Sequence, residues 1–165
     1  MNPSVVSAAI LARLQADSTL YTAGAWTAAL AGGVAWLRSG PAAPNFPYIV
    51  FDVEGDATNA FTGSMSRATL TLTMFDDDAN GASRLSVLYD RIYGDAMSSS
   101  GSRVAPTFGL YQHKLALPST GATNVLGWTA SEIDYKRSSL SYASETVLQQ
   151  VMVFEFEVSN SAVNV

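Results

Sequence analysis

Two segments with strictly alternating side chains constrain the fold of this chain more than any other feature of its sequence. In 67–75, Leu70, Leu72 and Met74 alternate with Thr69, Thr71 and Thr73. In 151–158, Met152, Phe154, Phe156 and Val158 alternate with Val151, Val153, Glu155 and Glu157. A period of two is typical of a strand with one buried face, as in antiparallel sheets. Both segments are therefore predicted to be half-buried antiparallel strands.

Two stretches carry apolar residues at helical spacing. Val6, Ile10 and Leu14 follow Pro3, a residue type favoured in the first turn of a helix, and they predict a helix over about 3–16. A second apolar stripe recurs at i, i+3, i+4 and i+7 and consists of Leu85, Leu88, Tyr89 and Ile92. This stripe predicts a helix that ends at about residue 97.

A third long strand is predicted over 48–54, which is rich in β-branched and aromatic residues. Alternation within it places Ile49, Phe51 and Val53 on one face. We expect this strand to pair with the alternating segment at 67–75 as a long hairpin, with the loop 56–65 between them.

The remaining stretches have less regular patterns. The segment 17–31 is interpreted as a short helix that ends at Gly32–Gly33, because glycine commonly follows the last turn of a helix. A strand is predicted over 34–38. Two irregular strands are predicted over 104–117 and 126–135.

The order of these elements predicts the fold class. Helix, strands, helix and strands follow one another, and the strands alternate rather than being continuously apolar. This pattern favours an α+β fold, with a mainly antiparallel β-sheet and two principal helices packed on one face. With 165 residues, the chain is expected to form a single domain over 1–165, with a variable, loop-rich region at about 98–145.

The residue types available for chemistry are few. The chain has no cysteine, and His113 is its only histidine, so thiolate sites, cysteine nucleophiles and two-histidine metal sites are excluded. The residues 76–81 copy the first half of a calcium-binding EF-hand loop, but Val87 stands where that loop needs a bidentate glutamate. We interpret 76–81 as a helix-capping segment. No catalytic residue, cofactor or metal site is predicted, and the protein is not expected to be an enzyme.

Charge is scarce in two long stretches. Between residues 18 and 51 the only charged residue is Arg38, and between 104 and 131 it is Lys114. The cores of subunit interfaces are depleted of charge and enriched in aromatic residues, although burial within one subunit produces the same composition. The candidate interface residues are Trp26, Trp36, Phe46, Thr69, Thr71, Thr73, Phe108 and Tyr111.

The charge balance and the N-terminal sequence bear on partners and location. The net charge is −5, and there is no basic run that could neutralise several phosphates, so specific nucleic-acid binding is not expected. The uncharged stretch 18–37 contains hydroxyl side chains and glycines, which argue against a membrane span. No basic residue follows Met1 closely, so we expect no secretory signal and retention in the cytoplasm.

The order of elements, taken with several short motifs, resembles the tail terminator or tail-completion family of long-tailed bacteriophages. The motifs are Pro47-Tyr48-Ile49-Val50-Phe51 at a strand start, Thr69-Leu70-Thr71-Leu72, the helix around 85–92, and the closing Val153-Phe154-Glu155-Phe156. The resemblance covers about residues 1–97 and 146–158.

The resemblance implies a function as well as a fold. It implies a homo-hexameric ring in the neck of the virion that caps the tail tube protein, ends its polymerisation and joins the tail to the head-side connector or stopper protein. DNA would then pass through the ring in transit only. Asp76, Asp77 and Asp78 are hypothesised to face this channel, where their charge would repel phosphate. The alternatives are a tail tube protein, a head–tail stopper or a small pocket-binding module.

Overall fold

A computed structural model of the chain describes residues 3–35, 45–57, 65–77, 79, 81–95, 106–117 and 128–160. The elements in chain order are α1 (Pro3–Gln15), β1 (Tyr21–Thr22), β2 (Ala25–Trp26), a 3₁₀ turn (Ala28–Leu30), β3 (Val34–Ala35), β4 (Tyr48–Ala57), β5 (Met65–Asp77), α2 (Gly81–Tyr93), β6 (Trp128–Ala130), β7 (Asp134–Ser144) and β8 (Val147–Asn160).

Six of the strands form one sheet. Its order is β3-β4-β5-β8, and β8 then pairs with both β6 and β7. Every pair in it is antiparallel except the short parallel contact between β3 and β4. The strands β1 and β2 form a separate antiparallel hairpin. The fold is therefore α+β with a mainly antiparallel sheet, as the sequence predicts.

One face of the sheet is buried beneath both helices. The register places Phe51 opposite Leu72, and Leu72 opposite Met152, so these side chains share a face. The buried sheet residues are Ile49, Phe51, Val53, Ala68, Leu70, Leu72, Met74, Leu148, Met152, Phe154, Phe156 and Val158. They form a single core with Val6, Ile10 and Leu14 of α1 and with Leu85, Leu88 and Ile92 of α2. The predicted helical stripes and the predicted alternation are confirmed.

The opposite face of the sheet has no helix among the described residues. Thr69, Thr71 and Thr73 lie on it and are half-buried. In register beside them are Glu155, Val153 and Val151 of β8. We call this surface the open face of the sheet.

Two of the helix predictions need correction. The predicted helix in 17–31 is wrong, since the chain there forms the β1–β2 hairpin and the 3₁₀ turn. Ala23 and Gly24 connect the two strands with positive φ angles of 50° and 81°, which suit a tight hairpin and interrupt a helix. The second helix ends at Tyr93 and not near residue 97, because Gly94 follows it with φ 106°, the left-handed geometry that ends helices.

The region 98–145 differs most from its predicted description. Residues 134–144 form a long strand rather than a loop, and they pair with β8 over nearly their whole length. The predicted strand over 126–135 is divided between β6 and the start of β7. The predicted strand over 104–117 is wrong for 106–117, where the only β-type contact is the isolated bridge between Lys114 and Glu132. Backbone pairing determines β7, and no buried stripe marks it in the sequence.

Some predictions fall on residues outside the described ranges. Of the predicted strand 34–38, Val34 and Ala35 are described and form β3. The predicted partners β4 and β5 are adjacent and antiparallel, and most of the loop between them lies outside the described residues.

Both α-helices have 13 residues, and the described part of the chain contains no helix long and apolar enough to cross a membrane.

Candidate assembly surfaces

Asp76 holds the start of α2 against the end of β5. Its side chain has no exposed surface, and it accepts hydrogen bonds from Arg84 and from the backbone N–H of Asp77. Arg84 also pairs with Asp77 at 3.0 Å, and Asp77 is partly exposed. The hydrogen bonds that Arg84 donates to Asp76 raise the pKa of Arg84, which keeps this cation charged.

The hypothesis that three aspartates face a channel therefore needs correction. A carboxylate without exposed surface does not line a channel, and the charge of Asp76 is compensated within the chain by Arg84. Asp77 remains accessible, with 43% of its side chain exposed. Asp78 lies outside the described residues.

Two arginines fix the segment 106–111 against the helices. Arg13 of α1 donates hydrogen bonds to the carbonyls of Pro106 (2.8 Å) and Gly109 (2.9 Å). Arg91 of α2 lies over the ring of Phe108, 3.6 Å from its centroid, and also pairs with Asp17. Phe108, a candidate interface residue, is thus half-buried by contacts within the chain.

The pKa of Asp17 responds to two opposing influences. Burial of its carboxyl group acts to raise the pKa, and hydrogen bonds from Arg91 and Thr19 act to lower it. The hydrogen bonds prevail, so the pKa of Asp17 lies below its ordinary value and the ion pair with Arg91 persists at neutral pH.

A group of tyrosines joins α2 to the start of β7. The ring of Tyr111 stacks on Tyr93 at 4.9 Å, and Tyr93 packs edge-on against Tyr135 at 5.1 Å. The hydroxyl of Tyr89 donates to that of Tyr135 over 3.1 Å. Burial, with this hydrogen bond, raises the pKa of Tyr89 to about 12. Tyr111, another candidate interface residue, is therefore packed inside the chain.

His113 also lies beside the start of β7. Its carbonyl accepts a hydrogen bond from the N–H of Ile133 over 3.0 Å. Burial, together with the nearby charge of Arg13, lowers the pKa of the imidazole to about 4, so the ring is neutral at neutral pH. His113 therefore supports β7 without adding charge there.

The remaining candidate interface residues do not form one patch. Trp26 packs edge-on against Tyr21 at 4.9 Å, and Phe46 lies tilted on Tyr48 at 5.7 Å. Trp36 lies outside the described residues. The three threonines are brought together on the open face, whereas Phe108 and Tyr111 contact α2 in the helical layer. The predicted set is therefore divided between two sides of the sheet.

The strand β7 is an exposed surface that the sequence analysis missed. Every residue from Lys136 to Thr146 is exposed, including Leu140 (53%) and Tyr142 (61%). No charged residue occurs from Ser138 to Ser144. Leu140 and Tyr142 alternate with serines, and this alternation is the signal that could have identified the strand.

One edge of β7 is unpaired within the described part of the chain, where β8 is its only partner strand. Natural sheets usually protect such edges with charged residues, proline or bulges. Here two bulges interrupt the register, at 135–137 and at 142–144, but the central residues 138–142 continue without one. This edge therefore offers backbone hydrogen-bonding groups to another strand.

A shallow groove lies between α2 and β7. It is lined by Ala82, Leu85, Ser86, Tyr89, Ser138, Leu140 and Gln150. Its volume of about 280 Å³ is below the range of roughly 300–1,000 Å³ that is usual for small-molecule sites. Within the described ranges, no group of three or more His, Cys, Asp and Glu residues is arranged to hold a metal ion.

Charged residues surround the other end of the β7–β8 ladder. Lys136 lies 2.7 Å from Asp134 and 3.4 Å from Glu155. The hydrogen bond that Lys136 donates to Asp134 raises the pKa of Lys136. Both partners of this cation are at least partly exposed, so the ion pairs give a solvated polar rim to the uncharged stretch of β7.

Comparison with protein-family models, with curated proteins and with solved structures found no match to this chain. The functional argument therefore rests on the surfaces described above.

Proposed function

We propose that this chain is a virion structural protein of the tail-terminator type. In this proposal its copies form a hexameric ring that caps the phage tail tube, ends its polymerisation and joins the tail to the head-side connector, leaving a channel for DNA. The observation that carries the proposal is the exposed edge strand β7, which carries no charge from Ser138 to Ser144. A long exposed strand edge of this kind promotes aggregation of a monomer, whereas in an assembly it can pair with a strand of another subunit.

A closed ring sets a requirement that this fold can meet. Neighbouring copies in a cyclic ring contact each other through two different surfaces of the same chain. The described structure offers the β7 edge at one side of the sheet and the β4 edge at the other, with the open face between them. These surfaces supply the two different patches that ring closure needs.

The charge of the chain is suited to DNA that passes without binding. The net charge is −5, and on the open face of the sheet Asp52, Glu54, Glu155 and Glu157 outnumber the cations Arg67 and Arg137. If this face lined the channel, the carboxylates would repel the phosphate backbone. In the proposal, these four carboxylates take the place of Asp76 as the acidic groups that line the channel.

The alternatives predict different assemblies. A tail tube protein would also use exposed edges, but it would stack without limit, whereas a terminator stops at a single ring. A head–tail stopper would form a ring of its own. A pocket-binding module would remain a monomer and would use the groove between α2 and β7, whose small volume disfavours this alternative.

Native mass spectrometry over a wide concentration series, with negative-stain electron microscopy of the same samples, tests the proposal. A discrete hexamer that appears as a ring with a central hole is the expected result. Open-ended stacks would favour a tube protein. A strict monomer at every concentration would favour the pocket-binding module.

A further inference from the structure

We infer that β7 of one copy pairs with the outer edge of β4 in the next copy, so that the sheet continues from subunit to subunit. The inference rests on the proposed ring and specifies how it closes. The partner is a second copy of this chain, and the contact is an antiparallel strand addition made by backbone hydrogen bonds.

The edge of β7 has the chemistry that strand addition requires. Its residues are exposed from Lys136 to Ser144, and in the described residues only β8 pairs with it. The apolar side chains Leu140 and Tyr142 project from it toward the side of the sheet that carries the helices, as their register with Gln150 and Leu148 shows. A neighbouring strand would cover Leu140 and satisfy the outward-facing backbone groups of the edge beside it.

The outer edge of β4 is the complementary surface. Among the described residues, only Val34 and Ala35 pair with this side of β4, and they are opposite Ile49 and Val50. The strand continues beyond that contact to Ala57. Within the described residues, no strand pairs with the outer side of 51–57, at the opposite end of the sheet from β7.

Strand direction is compatible with joining these two edges. The strands β4, β5, β8 and β7 are each antiparallel to the next, so β7 runs antiparallel to β4. When a second copy continues the sheet in the same orientation, its β4 lies beside β7 of the first copy with the antiparallel alternation preserved. No strand has to reverse, and no new type of contact is needed.

The pleat of the sheet limits the register to steps of two residues, because a shift of one residue would exchange the two faces. Arg137 and Ser139 lie on the open face of β7, and Asp52 and Glu54 lie on the open face of β4. The register with Arg137 opposite Glu54 also places Ser139 opposite Asp52. Between the bulge at 135–137 and the contact of β3 with Ile49 and Val50, it pairs 137–140 with 51–54. Opposite charges across an antiparallel pair stabilise the pairing.

Charge and symmetry both favour β4 over a second β7 as the partner. Lys136 is paired with Asp134 and Glu155, so Arg137 is the cation that β7 offers on the open face. On the same face, β4 carries the acidic residues Asp52 and Glu54. Pairing of β7 with itself would close a two-fold dimer and could not propagate around a ring. Pairing of β7 with β4 is head-to-tail, as cyclic closure requires.

The absence of natural cysteine makes the register directly testable. The double variant Ser139→Cys/Asp52→Cys places one thiol on each of the two strands. Directly opposite residues have Cβ atoms about 4.5–5.5 Å apart, close to the spacing of a disulfide. Mild oxidation of the purified protein is expected to give a ladder of covalent multimers up to six units on a non-reducing gel.

Three matched controls accompany this variant. Ser144→Cys/Asp52→Cys moves one thiol along β7 by about 16 Å at the usual rise per residue, and it should give little cross-linking. The single variants Ser139→Cys and Asp52→Cys should give almost none. Disulfide-linked dimers from Ser139→Cys alone would show that β7 pairs with itself and would overturn the inference.

Amide hydrogen exchange of the unmodified chain completes the test, because it separates this inference from the proposed function. We expect the outward-facing amides in 137–140 to exchange at least tenfold more slowly in the assembly than in the dilute monomer. A hexamer without this protection and without the ladder would overturn the strand pairing and leave the ring intact. Open-ended assemblies that show both the amide protection and the covalent ladder would support the strand pairing and overturn the proposed terminator function. A monomer at every concentration would overturn both.

Discussion

The strands β5 and β7 flank the same partner, β8, and both pair with it antiparallel, yet their surroundings differ sharply. In β5 every second residue from Ala68 to Asp76 is completely buried, whereas in β7 every residue from Lys136 to Ser144 is exposed. Backbone hydrogen bonds alone therefore do not distinguish the two strands. Burial of one face fixes β5, and β7 depends on its ladder to β8, on the tyrosine contacts at its start and, in our proposal, on a neighbouring copy.

The comparison of β5 with β7 predicts the largest loss of stability for substitutions on the buried face of β5. Leu72 has no exposed surface and lies between Phe51 and Met152 in register. Leu72→Ala removes buried methyl groups and leaves a cavity, so we expect a loss of about 2–5 kcal/mol in the free energy of unfolding. Urea denaturation of the dilute protein measures it, with Leu140→Ala in β7 as the matched control. A similar loss in both variants would contradict the contrast between the strands.

The same contrast explains what the sequence could reveal about the fold. Leu70, Leu72 and Met74 alternate with threonines because one face of β5 is buried, and burial leaves a periodic pattern that a reader can recognise. Residues 134–144 carry no buried stripe, because their pairing uses backbone groups that every residue type possesses. The fold class, both helices and the strands of the core were therefore predictable, whereas the only signal for most of β7 was the short alternation of Leu140 and Tyr142 with serines.

The residues of the candidate assembly surfaces also differ in how far the sequence could predict their placement. The threonines of the open face were predictable from their alternation. The buried pair of Asp76 and Arg84 was not, because the two residues meet across the connection between β5 and α2, and the run of aspartates suggested helix capping instead. Phe108 is covered by Arg91, a long-range contact that residue type alone does not reveal.

A second prediction concerns the ion pairs at the ends of the two strands. Arg84→Ala leaves the fully buried carboxylate of Asp76 without its cation. Breaking a buried pair costs about 3–5 kcal/mol. Because 39% of the Arg84 side chain is exposed and solvent can partly replace it, we expect a loss of about 1–3 kcal/mol here.

The matched control for that variant is Lys136→Ala, which removes a solvated cation beside β7. Exposed pairs contribute little to stability, so we expect no measurable change in its urea midpoint. Thermal and urea unfolding of both variants make the comparison. If Lys136→Ala is as unstable as Arg84→Ala, the start of β7 depends on charge more than the structure indicates.

The third prediction concerns pH and the support that His113 gives to the start of β7. The pKa of His113 is lowered from 6.5 to about 4 in the folded chain, so the unfolded chain binds the proton more readily between these values. The contribution of neutral His113 to the free energy of unfolding is fully present above pH 6.5 and is lost as the pH decreases toward 4. Allowing for solvent screening, we expect this contribution to be about 1–2 kcal/mol.

The variant His113→Gln isolates this effect from the titration of carboxylates such as Asp17. The free energy of unfolding of the variant relative to the parent chain should shift in its favour by that amount between pH 7 and pH 4.5, as measured by urea denaturation. A difference that does not change with pH would show that His113 titrates near its ordinary value.

The smallest effect is predicted for the apolar side chains of β7 in the monomer. Leu140 and Tyr142 are 53% and 61% exposed, so Leu140→Ser/Tyr142→Ser removes little packing. We expect the unfolding free energy of the dilute protein to change by no more than about 0.5 kcal/mol. The same double variant should assemble only at a higher protein concentration than the parent chain, because Leu140 lies in the segment that a neighbouring strand would otherwise cover. Sedimentation velocity over a concentration series measures this shift.

A large loss of monomer stability in this double variant would show that β7, like β5, is part of the folding core. An unchanged assembly midpoint would show that these side chains lie outside the contact between copies.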